Sequence, residues 1–175
     1  DSKNKSLVGM TGNVIEETQK HIAITSPDIV VIGRQKKKFS SYFDTRNIDQ
    51  LRKGYNGFLL LAGEKNKKAK DQSMRLGFLD EKEVSRASEL IQTLIRKAMP
   101  TLNVFTISNK QKKVVETKEK MVFYEFDKND IVDSTISNYI QKNKIDLMCV
   151  KWNDPDQSLT KKIIIKTEIP ILLTN

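Results

Sequence analysis

The chain predicts an α/β fold built on a doubly wound parallel sheet. Two observations carry this. Short apolar runs without a polar face recur at 28–33, 58–62 and 145–150, the composition of strands covered on both faces. They alternate with segments whose apolar residues repeat at helical spacing, 81–99 being the clearest, and strand–helix alternation of this kind argues for parallel crossovers.

Composition bounds the size and class of the protein. With 175 residues, 38% hydrophobic and 30% charged, the chain can bury one substantial core or two small ones. No apolar run approaches the about 20 residues a membrane-spanning helix needs, so no membrane insertion is expected. The net charge of +9 rests on scattered lysines and on clusters at 36–38, 64–70 and 110–120. None is interleaved with aromatics as a stacking platform for single strands would be. A solvated basic surface is therefore expected, not a nucleic-acid interface. The single cysteine, Cys149, excludes an intrachain disulfide and, inside an apolar run, reads as core packing in a reducing, cytoplasmic compartment. The chain opens at Asp1 with neither an initiator methionine nor a signal peptide, which reads as a fragment or a processed product.

In chain order, 7–12 is a strand-like run ending in a Gly12-Asn13 turn signal, and 14–23 a helix with Val14, Ile15, Ile22 and Ala23 apolar, closed by Ser26-Pro27. Residues 28–33 form a strand expected to be covered on both faces. A polar, basic loop leads to a helical turn at 48–53 and a buried strand at 58–62. The charged stretch 64–72, with only Ala69 apolar, reads as a linker. Residues 74–80 form a strand ending in a carboxylate. The helix over 81–99 places Val84, Ala87, Leu90, Ile91, Leu94, Ile95 and Ala98 on one face and stops at Pro100. Strands follow at 102–107 and 121–126. A helix over 131–142 turns Ile131, Thr135, Ile136, Tyr139 and Ile140 inward, before a strand at 145–150. Ser158 is expected as N-cap, with Thr160 in the first turn, of a short helix carrying Ile163 and Ile164. There hydroxyls and free N–H groups together would suit an anion. The last strand is Ile171-Leu172-Leu173.

Ser158-Leu159-Thr160, the short helix and Ile169-Pro170-Ile171-Leu172, placed after the Ile145-Asp146-Leu147 strand, resemble the C-terminal end of the universal stress protein family, whose pattern is Gly-Ser-x-Thr, helix, x-Ile-Pro-Val-Leu. The resemblance implies a flavodoxin-like (adenine nucleotide alpha hydrolase-like) sheet of strand order 3-2-1-4-5, with ligands beyond the strand C-termini at the switch point. An internal repeat extends it: 6–33 parallels 122–151, and 51–62 parallels 163–174. The chain then reads as a tandem type. Residues 1–63 are the C-terminal half of a first module, 64–72 a linker, and 73–175 a complete second module.

The family's ATP-binding branch uses Gly-x-x-Gly and then Gly-Ser or Gly-Thr, whose glycines let backbone wrap phosphate. In the first module Gly33 keeps the first glycine, Lys36 replaces the second, and Asp44-Thr45 replaces Gly-Ser. In the second, Lys151, Asp154 and Gln157 replace the glycines, leaving Ser158 and Thr160. Asp80 matches the family's ribose- or adenine-contacting aspartate, but Phe78 would crowd the base. Gly33, Thr45, Asp80, Ser158 and Thr160 are thus the nucleotide- or anion-binding candidates, and the expectation is no bound ATP or AMP, no cofactor and no metal. His21, the lone histidine, reads as an exposed helix residue, and no catalytic motif is present.

The function expected is that of a non-catalytic, stress-protein-like regulatory domain acting through protein contacts. The alternatives are a cytoplasmic regulatory domain of a membrane transporter, such as an antiporter, and an ATP- or AMP-binding stress-response protein. Phe58 and Leu60 of the first module are expected to pair edge to edge with Ile171, Leu172 and Leu173 of the second, within one chain or in a dimer. Residues 29–32, whose module lacks its central strand, are expected to have an unpaired edge and an exposed apolar face that the missing half or a second copy would cover.

Overall fold

A computed structural model describes residues 9, 11–33, 45–63, 74–79, 81–85, 89–98, 101–108, 116–117, 121–127, 135–152 and 157–174. Of the strand expected at 7–12 only Gly9, Thr11 and Gly12 are described, none of them in a strand; the linker at 64–72 and most of the lysine clusters lie outside the described residues. Helix α1 (Val14–Thr25) starts where Asn13 Oδ1 accepts from Ile15 N at 3.0 Å and Glu16 N at 3.5 Å, satisfying N–H groups that the first turn leaves without helical partners. It ends at Ser26, in the left-handed region at φ 44°, whose N–H donates to Ile22 O.

Strand β1 (Ile29–Gly33), helix α2 (Thr45–Arg52) and strand β2 (Phe58–Ala62) form a parallel unit with Val30 opposite Leu59 and Ile32 opposite Leu61. Its two turns are tied by buried Tyr55, whose hydroxyl lies 3.0 Å from Pro27 O and 3.2 Å from Phe58 O. Burial raises that phenol's pKa and lowers that of the neighbouring Arg52, whose Nη1 donates to Gly57 O at 2.7 Å.

The rest of the chain runs β3 (Arg75–Phe78), α3 (Glu81–Ser85), α4 (Glu89–Ala98), β4 (Thr101–Ser108), β5 (Glu116–Thr117), β6 (Met121–Asp127), α5 (Thr135–Lys142), β7 (Leu147–Lys151), α6 (Gln157–Lys166) and β8 (Ile171–Thr174). One eight-stranded sheet results, in the order β1-β2-β8-β7-β3-β4-β6-β5. Its pairs are parallel except β5 on β6 and β2 on β8. Buried Asp146 sets the start of the central pair: Arg75 N donates to its carboxylate at 2.7 Å, and its own N–H donates to Arg75 O at 2.8 Å.

Apolar residues fill both sides of the sheet. One cluster joins Ile15 and Ile22 of α1, Ile48 and Leu51 of α2, Ile136 and Ile140 of α5, and Ile163 and Ile164 of α6 to Leu59, Leu61, Met148, Val150, Ile171 and Leu173. The other puts Ile91 of α4 with Leu76, Phe78, Leu102, Leu147, Cys149 and Leu172. Because β2 and β8 sit side by side, the first cluster is shared by both halves of the chain.

Four expectations are corrected. β1 is not covered on both faces: Ile32 is buried, but Val31 is 62% exposed, because β1 ends the sheet and no described helix covers that side. The single helix over 81–99 is two helices, α3 and α4, with 86–88 outside the described residues. β5 is added, two polar residues with no apolar pattern to announce them. Finally, α6 begins at Gln157, so Ser158 lies inside the first turn instead of capping it.

Candidate functional site

In an open α/β sheet a ligand crevice forms where crossovers leave neighbouring strands in opposite directions. Here β3 leads through α3 and α4 to β4 on one side, while its other neighbour, β7, is reached from β6 through α5. The crevice would therefore open beyond Phe78 on β3 and Lys151 on β7. What the strands place there is bulk. Phe78 is 0% exposed. Trp152, the first residue after β7, is 2% exposed, and its N–H donates to Thr174 O at 3.0 Å. Over its indole, Lys161 Nζ stands 5.9 Å from the ring centroid and reaches Asp49 Oδ2 at 3.4 Å, bridging α6 and α2. Trp152 was not among the sequence candidates; a lone tryptophan directly after a buried strand was the available signal.

The sequence candidates do not converge. β2 runs antiparallel to β8, so β1 and β2 point opposite to β8, β7, β3, β4 and β6. Gly33, at the end of β1, and Thr45, opening α2, therefore lie at one end of the sheet, and Ser158 and Thr160, opening α6 after β7, at the other. Thr160 is 2% exposed, closed to a ligand arriving from solvent. A Cβ at Gly33 would meet nothing within 4 Å, so no close backbone approach requires a glycine there. Asp80 lies outside the described residues. Leu60, Ile171, Leu172 and Leu173, by contrast, meet in the β2–β8 ladder, where Leu59 faces Leu173, Leu60 faces Leu172 and Leu61 faces Ile171, while Phe58 stands in register with Ile29 of β1.

Cys149 is buried between β3 and β8, and that burial, with Glu83 as a lesser cause, pushes its thiol up to about 12 from 9.0. A folded-state pKa above the unfolded one means that stability is intact below about 9 and is lost as pH rises toward about 12. The thiol is expected to ignore a disulfide reagent at pH 8 until denaturant is added; prompt stoichiometric labelling of the native protein would contradict this. His21 is exposed on α1. Among the described residues no group of carboxylates, cysteines or histidine has metal-ligand geometry, and no helix is long and apolar enough to cross a membrane.

No family model matches the chain, and no curated protein does. Solved structures do. The chain is similar to a universal stress protein from Archaeoglobus fulgidus, with a TM-score of 0.63 and 9% identity over 92% of this chain and 64% of that one. A functionally unknown protein from Pseudomonas aeruginosa matches with a TM-score of 0.61 and 10% identity, over 94% of this chain and 68% of that one. A candidate universal stress protein from another strain of that species gives 0.56 and 11%, over 95% and 69%. The chain thus spans just under two thirds of the Archaeoglobus protein, and at these identities the likeness is one of fold.

Proposed function

We propose that the chain is a universal-stress-protein-like regulatory domain that acts through protein contacts, catalyses no reaction and holds no ATP. The observation that carries the reading is bulk at the strand ends where a nucleotide would enter: Phe78 and Trp152 are both buried there, and Thr160 of α6 is buried as well. The neighbour order β6-β4-β3-β7-β8 supports residues 73–175 as a complete module of strand order 3-2-1-4-5. The β1-α2-β2 unit supports 1–63 as the C-terminal half of another. A cytoplasmic stress-response setting accords with the fold likeness and the single buried cysteine. Calorimetric titration with ATP and with AMP is expected to show no binding tighter than about millimolar; micromolar affinity for either would overturn the reading.

A further inference from the structure

We draw no further inference here: the strongest candidate, the apolar face of β1 at the end of the sheet with the exposed side chains of Ile29 and Val31, carries nothing because nothing in the structure shows what covers it.

Discussion

Replacing Leu172 by lysine is expected to lower stability by several kcal/mol, from the cost of burying a charge without a partner. Leu172 is 3% exposed, opposite Leu60 on β2 and Cys149 on β7, so the ammonium would enter the sheet between two apolar strands. Against a total of about 5–15 kcal/mol for a typical domain, that is a large fraction. Since Leu60 and Leu172 pair within one chain, the loss should appear in urea denaturation without any change of association state. Val31→Lys is the matched control: the same charge on an exposed β-branched residue should cost no more than about 0.5 kcal/mol. Equal midpoints for the two variants would show that β8 is not buried between β2 and β7.

The second large effect falls on a glycine. A Cβ at Gly63, just past β2, would collide with the backbone carbonyl oxygen of Glu168 and lie 3.1 Å from Ile169 C and from Pro170 N. Backbone cannot rotate away as a side chain does, so Gly63→Ala must push apart the approach between the end of β2 and the turn before β8. A loss of about 3 kcal/mol, the upper end of the cost of overpacking, is expected. Gly33→Ala, with open space around it, should be neutral or gain a few tenths of a kcal/mol by restricting the unfolded chain. Thermal melts of the pair decide the point, and a Gly63→Ala variant as stable as Gly33→Ala would refute the close approach.

These two sites mark what could be read from residues alone. Leu172 was legible: an apolar strand with no charge inside it, placed by family likeness at a sheet edge, demands a partner, and Phe58–Ala62 offers the same features. Gly63 was not, because nothing in a lone glycine after an apolar run distinguishes a close approach from a turn. The central strands and the inward faces of α5 and α6 were legible for the same reason as Leu172, since periodicity encodes them directly. The exposure of Val31 was legible only at the level of the module: the composition of 28–33 is that of a strand covered on both faces, whereas the absence of the module's central strand predicts an open edge and an exposed apolar face. What decides burial is the covering layer, and that does not reside in the strand's own residues. The burial of Trp152 is not encoded in the loop motif, because missing glycines say what a loop cannot wrap, not what fills the space instead.

The antiparallel join of β2 to β8 also bears on the order in which the molecule assembles. Every other pairing in the sheet lies within one half of the chain, whereas this join, with the Lys161–Asp49 contact bridging residues 112 apart in sequence, spans most of its length. Closing so long a loop is entropically the slowest kind of step for a folding chain. Each half can gather its own strands first, and the zipping of Leu59–Leu61 against Ile171–Leu173 is then expected to come late. Until it happens two leucine-rich edges stand open at once, so the interval before closure is when the nascent chain is most exposed to aggregation.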